Sequence, residues 1–174
     1  MKKSSLLVAV GMVCMSLLGG CNGIETHSEK SLTYNIDEFD GKVEITYPNG
    51  DFTLKRGQGK EAFRIISDDY EVKFSFFTKE MLEDGGLMEA FEDFESVKAN
   101  GEGFTGRVAL NHVDEEYEVL IMAQLEDAKD AYILGVVREA DGDEDEDHYN
   151  RDQAEDAQKA ARNALREMIV EFRD

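Results

Sequence analysis

Two stretches of this chain are apolar on both sides of an extended strand, and that limits its fold more than any other feature. Within 117–125, Val119 and Ile121 point one way while Leu120 and Met122 point the other. Within 131–139, Ile133 and Val137 oppose Leu134 and Val136. Side chains alternate across a strand, so strands of this kind belong inside a sheet that is covered on both faces.

The other strands alternate more simply. Leu32, Tyr34 and Ile36 share one face, as do Tyr70, Val72, Phe74 and Phe76. Residues 62–67 form a partner for 70–78 across Asp68-Asp69, and 104–112 alternates again. Val43, Ile45 and Tyr47 lead into Pro48-Asn49-Gly50-Asp51, after which Phe52 and Leu54 resume. Alternation broken by Asn-Gly predicts a hairpin.

Two segments change period. Leu87, Phe91 and Phe94 fall on one helical stripe within 79–99. Gly85-Gly86 is expected to divide that region into a short turn and a main helix, with Asn100-Gly101 as its C-terminal cap. The last helix is predicted from Arg151 to Phe172, opened by a capping box of Asn150 and Gln153. Ala157, Ala161, Ala164, Leu165, Met168 and Phe172 supply its apolar stripe. Strands, helix, three strands, helix is therefore the expected order. It predicts an α+β fold, an antiparallel sheet covered by two helices in an α/β/α-type sandwich, as one domain over 32–174.

The first residues carry a different kind of signal. Lys2 and Lys3 precede an uncharged, largely apolar run from Leu6 to Leu18, followed by Gly19-Gly20-Cys21. The run has 13 residues, short of the ~20 that cross a bilayer. A basic start, an apolar centre and small residues before a cut make a secretory signal. Leu18-Gly19-Gly20-Cys21 resembles the lipobox of bacterial lipoproteins. The resemblance implies that 1–20 is removed and that Cys21, the new N-terminus, receives a diacylglycerol on sulfur and usually a further acyl chain on nitrogen. Residues 21–31, with His27 among them, would be the acylated cysteine and a polar tether. The only other cysteine, Cys14, lies in the part removed, so no internal disulfide is expected. Element order and lipobox together are similar to the PsbP-like fold, which includes DcrB-type bacterial lipoproteins. That resemblance implies an accessory or binding role and carries over no catalytic residue.

Charge narrows the partners. Losing Lys2 and Lys3 with the leader leaves 17 basic and 39 acidic residues, a formal net charge of −22. Nucleic-acid binding needs a basic footprint, so that class is excluded. The body is also repelled from an anionic lipid surface within a Debye length of ~8 Å. The expected partners are the membrane, through the lipid, and an unidentified cell-envelope protein or ligand.

Motifs for catalysis are sparse. No two histidines share the i, i+4 spacing of a helical zinc site, and no Gly-x-Ser-x-Gly or Gly-x-x-x-x-Gly-Lys occurs. Gly101, Gly103 and Gly106 match Gly-x-Gly-x-x-Gly in spacing but precede a strand, so they read as turn and strand-leading glycines. His112 could form an acid–base dyad with Asp114, while the plainer reading is a solvated residue at a strand end. Asp141, Asp143 and Asp145 stand at positions 1, 3 and 5 of a run that also holds Glu144, Glu146 and Asp147, and resemble the start of a calcium-binding EF-hand loop. Glu146 replaces its turn glycine and Asp152 its terminal glutamate, so the plainer reading is a solvated, self-repelling loop. The expected function is a lipid-anchored extracytoplasmic accessory or binding protein with no catalytic residue, no cofactor and no metal site. The alternatives are calcium binding by 141–147 and a carboxylate-dependent envelope hydrolase.

Overall fold

The computed structural model describes residues 30–37, 40–48, 52–140 and 148–173. Its largest element is an antiparallel sheet of seven strands in the order β3-β4-β5-β9-β8-β7-β6. These are β3 (Thr53–Arg56), β4 (Phe63–Ile66), β5 (Tyr70–Thr78), β6 (Glu95–Lys98), β7 (Phe104–Val113), β8 (Glu116–Leu125) and β9 (Ala131–Glu139). The two strands that are apolar on both sides, β8 and β9, are interior to it. A second sheet holds β1 (Ser31–Ile36), β2 (Gly41–Thr46) and β10 (Ile169–Arg173), with β2 in the middle. Among the described residues the helices are α1 (Lys79–Asp84), α2 (Leu87–Asp93) and α3 (Arg151–Glu167).

The expected α+β sandwich is overturned. Strand accounts for 53% and helix for 23% of the described residues, and the chain forms two sheets of seven and three strands. The order is five strands, two short helices, four strands, a helix and a strand. Three local readings carry the error. The period of 79–99 predicts helix to its end, but α2 stops at Asp93 and β6 follows, paired with β7 from Glu95↔Leu110 to Lys98↔Arg107. Asn100 is no helix cap; its side-chain oxygen accepts from the Gly106 N–H at 3.2 Å. The last helix ends at Glu167, and Phe172 belongs to β10. There Met168, Val170 and Phe172 alternate at a period of two, and β-branched Ile169 and Val170 suit an extended chain. Pairing with β2 then satisfies their backbone groups, from Ile169↔Thr46 to Arg173↔Lys42.

The hairpin expected around 48–51 is likewise corrected. β2 pairs with β1 and β10, whereas β3 pairs with β4 in the other sheet. Residues 49–51 of the expected turn lie outside the described residues.

Registers explain the core. Leu32, Ile45 and Val170 form one row across the small sheet, and Tyr34, Val43 and Phe172 the next. These residues share one apolar cluster with Leu54, Phe63, Ile65, Val72 and Phe74 of the large sheet. Over the other half of the same face lies α3, whose buried Ala154, Ala157, Ala161 and Ala164 let it sit close to Val108, Val119, Ile121 and Ile133. Small side chains are what allow that approach. Its N-terminus carries the expected capping box, with the Asn150 side chain accepting from the Gln153 N–H and the Gln153 side chain from the Asn150 N–H. The opposite face of the large sheet is partly covered by α1 and α2, through Leu82 and Leu87 against Phe77 and Tyr132, and Phe91 against Ala109 and Leu120.

Candidate functional site

A cleft of about 770 Å³ opens where the two sheets meet. Four separate segments line it: Asp40 before β2, Thr78 to Glu83 at the β5–α1 junction, Ala128 to Ala131 in the β8–β9 turn, and Phe172 on β10. Each segment is held for a local reason. The Thr78 hydroxyl caps α1 by accepting from the Met81 N–H at 3.3 Å. The Lys79 N–H donates to the Asp130 carbonyl at 2.8 Å, tying α1 to the β8–β9 turn. That turn is closed by Ala131 N–H to Ala128 carbonyl at 2.8 Å, and by the Gln124 amide donating to the Lys129 carbonyl at 2.6 Å. Gly41 lies beneath the Phe172 ring, where a Cβ would come within 2.5 Å of it. The ring therefore sits directly on the backbone.

Chemically the lining is mixed. Asp40, Glu80, Glu83 and Asp130 supply carboxylates, Lys79 and Lys129 supply amines, and Phe172, Ala128 and Ala131 supply apolar surface. Lys79 Nζ is 3.5 Å from Glu83 Oε1, an exposed i, i+4 pair worth only a few tenths of a kcal/mol. Such a lining offers hydrogen bonds and charge of both signs to a polar ligand. Beside it, burial pushes the Tyr132 phenol up; Lys79 opposes the shift, while Asp130 and Glu83 add to it. The folded chain thus holds that proton more tightly than the unfolded one. Its contribution to stability is complete below pH 10 and is lost as pH rises through the folded-state value. Tyr132→Phe should therefore flatten the alkaline decline in stability, as read by urea midpoints from about pH 9 to about pH 12. An unchanged slope would show that this phenol is not the titrating group.

The sequence-predicted residues are scattered. Cys21, the tether to residue 29 and the acidic run 141–147 lie outside the described residues, so lipidation and the calcium alternative gain no geometry. His112 is exposed and its ring packs on Tyr117 with centroids 4.7 Å apart; Asp114 sits in the β7–β8 turn with φ 56°. His148 Nδ1 stands 3.7 Å from Glu116 Oε2. Gly101 and Gly103 form no phosphate cradle. They let the β6–β7 loop run against β10, where Val170 N–H donates to the Glu102 carbonyl at 2.9 Å.

Two polar arrangements were not singled out in the sequence. Arg151 clamps the start of α3 to edge strand β6, with Nη1 and Nη2 donating to the Glu95 carboxylate at 2.9 and 2.8 Å and Nε to Glu155 at 2.6 Å. Hydrogen bonding to Arg151 lowers the pKa of Glu95, and the guanidinium also covers the Tyr117 ring at 5.3 Å. The second arrangement is a row across the large sheet. Buried Asn111 donates to buried Glu118 at 2.8 Å, and Arg138 faces Glu71 on the neighbouring pair of strands. Arg64 Nη1 then donates to Glu71 at 2.7 Å, and Lys73 Nζ lies 3.5 Å from Glu61. Opposite charges in adjacent strands hold one another in place, which is a structural role.

Comparison with family models, with curated proteins and with solved structures gave no match.

Proposed function

We propose that this chain is a lipid-anchored extracytoplasmic protein with an accessory or binding role and no catalytic activity. The observation that carries the reading is Leu18-Gly19-Gly20-Cys21 after a basic start and a short apolar run. Cys21 is the residue that lipid chemistry needs, since a thiolate accepts the diacylglycerol. Lys30 and Ser31, expected in the tether, belong to the small sheet, so residues 22–29 would act as a tether of at most ~26–29 Å that keeps the domain beside the membrane. The bacterial cell envelope is the setting this implies. The mixed-charge cleft supports the binding role, because it presents hydrogen-bonding groups around a space large enough for a small polar ligand or a partner's side chains.

The test is metabolic labelling with a clickable fatty acid. The native chain should take up label and partition into detergent, while Cys21→Ser should do neither. Loss of both properties is expected together, because stable anchoring takes two acyl chains and a single one binds only marginally. Label retained in Cys21→Ser would remove the assignment.

A further inference from the structure

Among the described residues, four strands end the two sheets: β3 and β6 the larger, β1 and β10 the smaller. An edge strand presents unpaired N–H and C=O groups, and proteins guard such edges with charge, short length or a covering segment. Three of the four are guarded in these ways. β3 has four residues, of which Lys55 and Arg56 are charged. β6 also has four, with Lys98 at one end and Glu95, held by Arg151, at the other. β10 carries Glu171 and Arg173, and its Val170 N–H donates outward to the Glu102 carbonyl. β1 is different. It is the longest of the four, and its six residues hold no charge in a chain of which 33% is charged. The Tyr47 N–H donates to the Lys30 carbonyl, which fixes the phase of the β1–β2 ladder. Leu32, Tyr34 and Ile36 therefore bond to β2, while Ser31, Thr33 and Asn35 turn their backbone groups outward. Thr33 and Asn35 are exposed, and no described strand pairs with that edge.

We infer that β1 pairs antiparallel with β1 of a second copy of this chain about a two-fold axis at Thr33, joining the two small sheets into one. In that register Thr33 lies opposite its own counterpart and Ser31 opposite Asn35, each pair exchanging two backbone hydrogen bonds. The side chains brought together on the exposed face are small, polar and uncharged. The edge is thus complementary to itself, as a two-fold interface requires. Flanking charges also match. Lys42 lies beside Asn35, and the Ser31 hydroxyl holds Glu44 at 2.7 Å, so a lysine of one copy faces a glutamate of the other at each end of the junction. Pairing ends there, because the joined sheet has the guarded β10 strands as its outer edges; a closed dimer forms and not a fibre. The two Ser31 residues come to stand only ~13 Å apart along the strands, so two tethers from one bilayer can hold the dimer. The inference goes beyond the binding role, and the pairing itself needs no lipid. Labelling of Cys21 and the test of this interface can therefore fail separately.

The experiment is sedimentation velocity of the full-length protein in a mild non-ionic detergent, over a range of protein and salt concentrations. The native chain should form a dimer that tightens as salt screens the repulsion between two acidic copies. Thr33→Pro removes an outward N–H that the β1–β2 ladder does not use, so it should leave the fold intact and weaken the dimer about tenfold or more. Thr33→Lys and Thr33→Glu each set like charges against one another at the axis, and each alone should be monomeric. Mixed together, they should pair with each other. That rescue decides the matter even where proline disturbs the fold, and a purely structural role for Thr33 would not produce it. Lys55→Glu, on edge strand β3, is the control and should leave the dimer unchanged. A native chain that stays monomeric, or a dimer indifferent to the Thr33 variants, would overturn the inference. So would a mixture that gives no mixed dimer, equal weakening by the control, or oligomers that grow beyond two copies.

Discussion

Gly103→Ala should destabilise the domain by about 4 kcal/mol or more, enough to unfold much of it at ambient temperature. Gly103 has φ 83°, and a Cβ there would lie 1.8 Å from the Val170 carbonyl oxygen. The obstacle is backbone, so no rotamer change relieves it. Either the β6–β7 loop or β10 must move, and with them the bonds from Val170 N–H to Glu102 and from Glu126 N–H to the Gly103 carbonyl at 3.0 Å. Gly59→Ala is the informative control. Gly59 also has a positive φ, 65°, but nothing lies within 4 Å of its added Cβ. It should lose only the ~1–2 kcal/mol of a left-handed alanine. Urea unfolding of both variants measures the difference. Equal losses would show that strain in φ, and not the seam between the sheets, is what Gly103 relieves.

Phe74→Ala should lose about 3–5 kcal/mol through the cavity it leaves. Phe74 is fully buried, stacks on Phe63 with centroids 4.6 Å apart, and lies opposite Gly135 in the β5–β9 ladder. A Cβ on Gly135 would reach within 2.9 Å of the Phe74 ring. Ring and glycine are therefore one packing unit. Gly135→Ala alone should be strongly destabilising, yet much less so once Phe74 is alanine, giving a coupling of about 1–3 kcal/mol in a double-mutant cycle. Simple additivity would show that the ring does not occupy that space.

What the sequence revealed follows the range of the interactions concerned. The strands at 70–78 and 131–139 were legible to the residue from local pattern, the first from its alternation and the second from an apolar run bounded on both sides by polar residues. The capping box at Asn150 was legible for the same reason. Sheet membership was not. Nothing near Tyr47 says that its strand pairs with residues after Met168 and not with Leu54, since an edge is filled by whichever strand topology delivers. Met168 and Phe172 fit a helical stripe as well as an alternating strand, and only the open edge of β2 decides between them. The fold class failed through these two misreadings together with β6. The cleft was not legible, because its lining comes from four segments between Asp40 and Phe172 that share no pattern.

The placement of β10 also bears on the order of events as the chain folds. Val170 pairs with Ile45, so one side of the middle strand of the small sheet is completed by chain 125 residues further on. Strand β2 would thus wait with one edge unpaired until those 125 further residues have been made. Closing so long a loop is slow, and an open edge is vulnerable to pairing with the wrong chain while it lasts. Charged Lys42 and Glu44 on β2 are what guard it during that interval. Pairing of β10 with β2 therefore does two things at once: it fills the open edge of the small sheet and it brings Phe172 into the lining of the cleft.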